Sequence, residues 1–389
     1  MKKIISILTA TRAEYGLLKP IITKLKTVED FDVRIVATGA HLSPEFGLTY
    51  KEIEKDGFII DEKIEILLSS DTPSSISKSM GLAMISFADY FEKLNPDLLI
   101  VLGDRYETLA VASTAMNQRI PIAHLYGGET TEGAIDESIR HAITKLSYLH
   151  FTSTDEYGKR VVQLGENPER VYNVGAIGIE NILNEKLLQK EELENELNIS
   201  LSKPYAVVTF HPVTLENNSS EKQIESLLEV CKEYKNLDFI FTKANADAEG
   251  RIINQFIDNY AKENDNIFAF TSLGMRRYLS ALKYSSVVIG NSSSGLLEAP
   301  SFGIPTVNIG DRQKGRLQAS SVINCDPTQA SIKRALDLAL SEEIVQKANR
   351  TVNPYGNGDS SSKVVEVIRE YLIKNKIDLK KKFYDCEVE

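Results

Sequence analysis

The sequence predicts an α/β protein built from two doubly wound domains, each a parallel sheet covered by helices on both faces. Short, nearly continuous apolar runs alternate with amphipathic stretches along the chain, a pattern typical of parallel strands buried on both faces. The alternation stops at a charged segment, residues 183–203, which is predicted to form a surface helix and a linker, and then starts again. The chain of 389 residues is also long enough for two domains of about 150 residues each.

The first domain is predicted over residues 1–180. We expect strands at the apolar runs and helices at the stretches with apolar residues every three or four positions. In chain order, the predicted strands are IISILTA, VRIVATG, DLLIVLG, PIAHLYGG, LHFTST and RVYNVG. The predicted helices are LLKPIITKLKTV, ISKSMGLAMISFADYFEKL, ETLAVASTAMNQ and DESIRHAITKL.

The second domain is predicted over residues 200–362, and residues 363–389 are expected to form a last helix and tail that return to the first domain. The predicted strands are PYAVVTFHP, DFIFTKA, NIFAFTS, SVVIGN, PTVNIG and SVINCD. The predicted helices are EKQIESLLEVCKEYK, IINQFIDNYAKE, MRRYLSALKY, GLLEAPSFG, QASIKRALDLALS and the final KVVEVIREYLIKN. Two such domains are expected to face each other across a cleft. Ligands bind at the carboxyl ends of the strands in these sheets, so the residues that follow each strand are the candidates for a site.

Composition excludes several classes of function. Lys and Arg number 45 against 55 Asp and Glu, and a net charge of −10 argues against a nucleic-acid or membrane-surface binder. Cys231, Cys325 and Cys386 are too few and too scattered for a disulfide framework or a zinc site. The apolar runs are strand-sized, so no transmembrane helix is predicted. The first apolar run is followed by Arg12 and Glu14 rather than by a cleavage site, so we expect a cytoplasmic protein without a signal peptide.

Charged residues follow two strands of the first domain. Arg12 follows the first strand and is either a ligand for a phosphate group or a partner in a surface ion pair. Asp104 and Arg105 follow the strand DLLIVLG. Asp104 either takes part in proton transfer, with its pKa raised by burial, or caps the next helix.

A third strand leads into a run of acids. His124 lies at the end of this strand, Glu129 follows Gly127-Gly128, and Asp136 opens the next helix, where it is four residues from Arg140. An acid at this position is often only a complement to the helix dipole or one half of an ion pair. Three carboxylates that follow strands of one sheet are nevertheless expected to converge on one crevice, which favours acid–base chemistry.

The second domain carries an anion-binding pattern. His211 and Asn245 follow strands, and residues 290–295 form a Gly-Asn-Ser-Ser-Ser-Gly loop between a strand and a helix that carries Glu298. Free N–H groups at such a loop suit a diphosphate, and a carboxylate one turn further suits ribose hydroxyls; serine capping of the helix is the alternative. Arg312 follows the next strand. The sequence lacks both a G-x-G-x-x-G fingerprint and a metal-ligand cluster, so no cofactor and no metal are predicted.

Taken together, these segments resemble the UDP-N-acetylglucosamine 2-epimerase family, in particular its hydrolysing branch, which makes N-acetylmannosamine for sialic-acid synthesis. The resemblance runs from TATRAEYGLLKPI to the last helix. Its most specific segments are TRAEYG, VLGDRYE, GGETTEGAIDESIRHAITKLS, FHPVT and GNSSSGLLEAPSFGIPTVNIGDRQKGR. The family fold is a pair of Rossmann-like domains of the GT-B type with the active site between them. The resemblance implies a UDP-sugar substrate and a homodimer or homotetramer.

The resemblance also implies roles for individual residues. Asp104 and Asp136 match proton-transfer groups, and His211 matches a histidine that assists departure of the diphosphate. The positions that match contacts to the UDP moiety are Arg12, Arg105, Asn245, Ser292, Ser293, Glu298 and Arg312. Many members carry a catalytic glutamate where this chain has Tyr126. Either Glu129 replaces it, or the substrate is a UDP-linked diacetamido-trideoxyhexose, as in legionaminic-acid synthesis.

The implied reaction needs no cofactor. The C2 proton of an acetamido sugar is not next to a carbonyl group, so loss of UDP must come first or together with its removal, giving a glycal to which water adds. Arginines and a helix end would stabilise the leaving diphosphate, where negative charge develops. A UDP-sugar glycosyltransferase, a non-hydrolysing epimerase and a non-enzymatic UDP-sugar sensor remain alternatives, because fold alone does not determine function.

Overall fold

A computed structural model describes residues 2–68, 72–130, 135–211, 220–243, 250–271, 273–374 and 377–386. The chain divides into two compact units. Unit 1 consists of Met1–Asn181 together with Tyr355–Glu389, and unit 2 consists of Ile182–Pro354. Residues 355–362, which the sequence assigned to the second domain, therefore belong to unit 1.

Unit 1 is built on a seven-stranded sheet in which all strand pairs are parallel, in the order β3-β2-β1-β4-β5-β6-β7. The strands are β1 (Lys3–Thr9), β2 (Phe31–Thr38), β3 (Glu62–Ile64), β4 (Leu98–Leu102), β5 (Ile122–Leu125), β6 (Leu149–Thr152) and β7 (Val171–Asn173). The helices are α1 (Arg12–Lys26), α2 (Tyr50–Lys55), α3 (Pro73–Leu94), α4 (Tyr106–Asn117), α5 (Asp136–Leu146), α6 (Asp155–Gln163) and α7 (Ile177–Asn184), whose last residues begin unit 2.

Unit 2 contains a second all-parallel sheet, with six strands in the order β10-β9-β8-β11-β12-β13. The strands are β8 (Tyr205–Thr209), β9 (Asp238–Thr242), β10 (Ile267–Phe270), β11 (Val287–Gly290), β12 (Thr306–Ile309) and β13 (Val322–Cys325). The helices are α8 (Lys190–Leu197), α9 (Ser220–Glu233), α10 (Gly250–Glu263), α11 (Gly274–Tyr284), α12 (Ser294–Leu297), α13 (Gln329–Ala339) and α14 (Glu342–Asn349). The prediction of two parallel-sheet, Rossmann-like domains is confirmed.

The core lies on both faces of each sheet, because the central strands are buried along their whole length. All five residues of β4 and of β8 are buried. On one face of the first sheet, Ile5, Ile7 and Ile100 pack with α1, while Leu99 and Val101 face α3 and α4 on the other. This is why the strands appear in the sequence as continuous apolar runs rather than as alternating ones.

The last helix, α15 (Ser360–Ile373), returns to unit 1 and packs against α1, as expected from the sequence. Its first turn is held by Glu180, whose carboxylate accepts hydrogen bonds from the Ser361 N–H at 2.7 Å and from Lys24 Nζ at 2.9 Å. The tail beyond α15 continues over unit 1. There Lys381 pairs with the buried Glu166 at 2.7 Å, so the end of the chain is tied to the first domain.

The charged segment 183–203 contains the predicted helix, α8, which packs against α11 within unit 2. Two features differ from the sequence prediction. β3 and the short helices α2, α6, α7 and α14 were not predicted, because three to nine residues give too few periods to recognise. The helix predicted at GLLEAPSFG consists of one turn, α12, followed by a 3₁₀ turn at Ala299–Phe302. Among the described residues, no helix combines the length and apolar character that a membrane span requires.

Candidate functional site

A cavity of about 880 Å³ lies at the carboxyl edge of the first sheet, lined by residues that follow β1, β2 and β4. Arg12 is one of these residues, and its side chain is 72% exposed. Its Nε lies 2.9 Å from Oε2 of Glu52, so the surface ion pair that the sequence left open is formed. An exposed pair of this kind is worth at most about 1 kcal/mol, so a phosphate group can compete for the guanidinium.

Arg105 also lines this cavity, and a buried carboxylate fixes its position. Glu107 is fully buried and accepts from Arg105 Nε at 3.2 Å and from Nη2 at 2.9 Å. A second buried acid, Glu14, lies 4.0 Å from the same Nε. Burial raises the pKa of Glu14 to about 7. Arg105 is therefore a preorganised cation, held on two sides at the end of β4.

Asp104 lies next to Arg105 but has a different partner. It accepts a short hydrogen bond from Nη2 of Arg140 in α5, a side chain that is only 5% exposed. The Nη1 group of Arg140 donates to the backbone carbonyl of Glu129 at 2.8 Å and to the carboxylate of Glu137 at 3.0 Å. The N-cap of α4 is Arg105 rather than Asp104, so the capping role considered for Asp104 is wrong. The Arg140 guanidinium thus connects the residues after β4, the loop after β5 and the first turn of α5.

The loop that carries Glu129 is fixed by close packing. Gly128 has a φ of +80°, and a Cβ atom at this position would lie 2.2 Å from the Tyr157 carbonyl oxygen. The Glu129 carboxylate accepts from Ser153 Oγ at 2.7 Å. Only glycine fits this conformation and this approach, which holds Glu129 at the same edge as Asp104.

Burial shifts the pKa values of Asp136 and His124 in opposite directions, because it favours the neutral form of both side chains. Burial, together with the charge of Asp104, raises the pKa of Asp136, so this carboxyl holds a proton to higher pH than an ordinary aspartate. Burial lowers the pKa of His124 to about 3. Its ring bonds the Gly103 carbonyl at 2.7 Å and lies 3.3 Å from Thr144 Oγ1. His124 is therefore a neutral structural residue beneath the loop.

Asn291 organises the predicted residues of unit 2. Its side chain bonds both backbone groups of His211, accepting from the N–H at 2.7 Å and donating to the carbonyl at 2.8 Å. Its own carbonyl accepts from Arg312 Nη1 at 3.1 Å and from Gln313 Nε2 at 2.9 Å. The structure thus brings His211 and Arg312 to the end of β11. Asn245 lies outside the described residues.

The serine loop forms one turn that ends at Glu298. Ser292 Oγ accepts from the Ser294 N–H at 3.3 Å, while Ser293 precedes α12 and makes no side-chain capping bond. Ser294 Oγ accepts from the Tyr278 hydroxyl at 2.7 Å and donates a short hydrogen bond to Glu298. Burial raises the pKa of Glu298. Since α12 is only four residues long, its dipole adds little, and backbone N–H groups of the loop would have to supply most of any anion binding.

Tertiary contacts supply three residues that the sequence did not single out. Arg140 was recognised only as a possible partner of Asp136, whereas it binds Asp104 and Glu137. Glu14 and Glu107 were not predicted to matter. For Glu14, the Thr-x-x-Glu spacing of a capping box was the available signal, and the box is formed with Thr11. Across the described residues, no group of three or more side chains has the arrangement of a metal site.

Comparison with known proteins identifies the family of the chain. The protein-family model described as UDP-N-acetylglucosamine 2-epimerase matches residues 23–369. The chain is 49% identical to a Campylobacter jejuni protein named GDP/UDP-N,N'-diacetylbacillosamine 2-epimerase (hydrolyzing), over 84% of this chain and 85% of the relative. It is 41% identical to the polysialic acid biosynthesis protein P7 of Escherichia coli, over 99% and 98% of the two chains.

Solved structures share the fold at lower identity. A UDP-GlcNAc 2-epimerase from Neisseria meningitidis, solved with UDP-GlcNAc bound, superposes with a TM-score of 0.77 at 20% identity and covers 95% of this chain and 100% of its own. A putative UDP-N-acetylglucosamine 2-epimerase from Listeria monocytogenes gives a TM-score of 0.80 at 18% identity, with 99% and 100% coverage. These likenesses extend over essentially the whole chain.

Proposed function

This chain belongs to the UDP-N-acetylglucosamine 2-epimerase family, and from that premise we propose that it is a hydrolysing 2-epimerase of a UDP-linked 2-acetamido sugar. With UDP-N-acetylglucosamine and water as substrates, the products are N-acetylmannosamine and UDP. The observation that supports this proposal most directly is the cluster of acidic residues around Arg140. The Arg140 guanidinium binds the Asp104 carboxylate and the backbone of Glu129 at one edge of the sheet, and Asp136 is close enough for the charge of Asp104 to raise its pKa.

The proposed chemistry begins with cleavage of the C1–O bond, whose electron pair leaves with UDP. A carboxylate, Asp104 or Glu129, removes the C2 proton, and the C2–H electron pair forms the C1–C2 double bond of a glycal. Water then adds its oxygen to C1, and a proton returns to C2 on the opposite face, which gives the manno configuration. The raised pKa of Asp136 suits it to donate this proton.

In unit 2, binding of the UDP moiety is proposed for Ser292, Ser293 and Arg312. In unit 1, a contact to a phosphate group is proposed for Arg12 and Arg105, since cations stabilise the negative charge of a leaving diphosphate. His211, fixed through its backbone by Asn291, would assist that departure. The carboxylate of Glu298 would accept a hydrogen bond from the ribose, replacing the bond that it now receives from Ser294.

A second candidate is the same reaction on UDP-N,N'-diacetylbacillosamine. The Campylobacter relative carries the diacetylbacillosamine name, and so does a Legionella pneumophila relative that is 34% identical over 95% of this chain. Tyr126 supports this alternative, because the family resemblance implies a catalytic glutamate at this position. Its hydroxyl accepts from the Gly178 N–H at 3.3 Å, so the side chain is committed to packing rather than to proton transfer.

Isotope tracing tests the reaction. In ¹⁸O-labelled water, we expect the label at C1 of the free sugar and none in UDP; in D₂O, we expect deuterium at C2 of the product. ³¹P NMR follows the release of UDP. Solvent oxygen on phosphorus with an untouched C2–H would mean phosphodiester hydrolysis and would reject the proposal. An epimerised sugar still attached to UDP would instead establish a non-hydrolysing epimerase, and turnover only with an added acceptor would establish a glycosyltransferase.

A further inference from the structure

The cavity of unit 1 has two kinds of lining. Charged and polar groups after β1 and β4 form one part, as described for Arg12 and Arg105. The other part is apolar and consists of Phe46, Leu67, Leu68 and Ile76, from the turn after β2, the segment after β3 and the start of α3. Phe46 is 55% exposed and Leu68 is 39% exposed, although both are large apolar side chains. Apolar groups left accessible in a cavity with a charged rim are typical of a ligand site.

Much of the polar lining already has a partner within the protein. Glu107 is committed to Arg105 through both carboxylate oxygens. The Thr49 hydroxyl is 2.8 Å from His41 Nδ1, and Ser79 Oγ accepts from the Leu68 N–H at 3.4 Å. Glu45, next to Phe46, is an exposed carboxylate of the same lining. A sugar hydroxyl placed against Leu68 and Ile76, away from Glu45, would therefore lose its water and find few replacements, which is costly.

The two candidate sugars differ in the groups that such a surface distinguishes. N-acetylglucosamine carries hydroxyls at C4 and C6. The diacetamido-trideoxy sugar carries an acetamido group at C4 and a methyl group at C6, so both positions present a methyl group. Apolar side chains stabilise these methyl groups by removing them from water, and they offer nothing to the hydroxyls.

On the basis of the function proposed above, we propose that Phe46, Leu68 and Ile76 form the surface that selects the sugar, contacting the C4 and C6 substituents of a 2,4-diacetamido-2,4,6-trideoxyhexose. Arg12 and Arg105 line the same cavity, and with the function proposed above they would contact the diphosphate. The protein therefore uses UDP-N,N'-diacetylbacillosamine in preference to UDP-N-acetylglucosamine. The specificity resides in unit 1, independently of the nucleotide contacts of unit 2.

The test compares kcat/KM for UDP release from these two compounds, in the full-length protein and in L68S and I76T. For the unmodified protein, we expect the diacetamido substrate to be favoured by about 10- to 200-fold, the range of discrimination for one apolar group in an apolar pocket. Each variant is expected to reduce that ratio by about 10-fold, through lower kcat/KM for the diacetamido substrate alone. The matched control is L338S, at a leucine of α13 that is 46% exposed and lies outside the cavity. Its ratio is expected to stay unchanged.

The outcomes separate this assignment from the proposed function. Release of UDP from both substrates with the same ratio in L68S, I76T and L338S would overturn the assignment and leave the function standing. A preference for UDP-N-acetylglucosamine in the unmodified protein would also overturn the assignment and leave the proposed function standing. No release from either compound would overturn the proposed function and the assignment with it. F46A, at an exposed position, provides a third variant that should fold even where a substitution in α3 does not.

Discussion

Glu14 makes the stability of unit 1 depend on pH. The residue is 8% exposed, and its Oε2 accepts from the Ala10 N–H at 2.7 Å and from the Thr11 N–H at 3.2 Å. Burial nevertheless dominates, and it raises the pKa from 4.5 to about 7, with the charge of Glu107 acting in the same direction. The folded protein thus holds a proton on Glu14 that the unfolded chain has already lost at pH 6.

The sign and size of the effect follow from this difference. Between pH 4.5 and about 7 the native state binds more protons than the unfolded state, so the free energy of unfolding falls as pH rises. The gap between 4.5 and about 7, at about 1.4 kcal/mol per pH unit, gives a loss of about 3 kcal/mol. The contribution is complete below pH 4.5 and absent above about pH 7.

The substitution E14Q removes the ionisation and retains an oxygen that can accept from Ala10. Urea unfolding followed by circular dichroism, from pH 4.5 to 8, should show that unmodified protein loses about 3 kcal/mol more than E14Q across this range. The matched control is E29Q, at an exposed glutamate of the same unit, which should follow the unmodified protein. Parallel pH profiles for the unmodified protein and E14Q would refute the argument that burial dominates at Glu14.

Two further predictions concern the proposed catalytic and nucleotide sites. D104N and D136N should each lower kcat by at least about 100-fold, because proton transfer is lost. Calorimetry should show near-normal UDP affinity, because the nucleotide contacts remain. Near-normal turnover in a variant would remove that residue from the proposed mechanism. Asp136 must be protonated to donate a proton and its pKa is raised, so the alkaline limb of the kcat/KM profile should lie above the ordinary aspartate value of about 3.9. E298A should weaken UDP binding by about 10- to 100-fold through loss of a charged hydrogen bond, and unchanged affinity would place the ribose elsewhere.

The strand ends were predictable because burial on both faces of a parallel sheet leaves a direct trace in the sequence. IISILTA, DLLIVLG and PIAHLYGG correspond to β1, β4 and β5 within a few residues. Since parallel strands place their carboxyl ends at one edge, the positions of Arg12, Asp104 and Glu129 at that edge followed without coordinates.

Partners within the site could not be predicted in this way. Asp104 and Arg140 are 36 residues apart, and no periodicity connects a loop after β4 with the middle of α5. The sequence offered Asp136 as the partner of Arg140 because the two are four residues apart, but the folded chain gives Arg140 a different partner. Long-range side-chain pairing depends on how helices pack on the sheet, which local patterns do not encode.

The sequence by itself determined the two parallel-sheet domains, the edge at which each candidate residue emerges and the residue types present there. The tertiary structure alone decided which of those residues are buried, which of them form ion pairs with one another and which part of the cavity lining is apolar. Glu14 illustrates the reason: its position in a Thr-x-x-Glu box follows from the sequence, but its pKa depends on the amount of water that the packing of α1, Arg105 and Glu107 leaves around it. Desolvation is a property of the surroundings in three dimensions, so it appears only when the chain is folded.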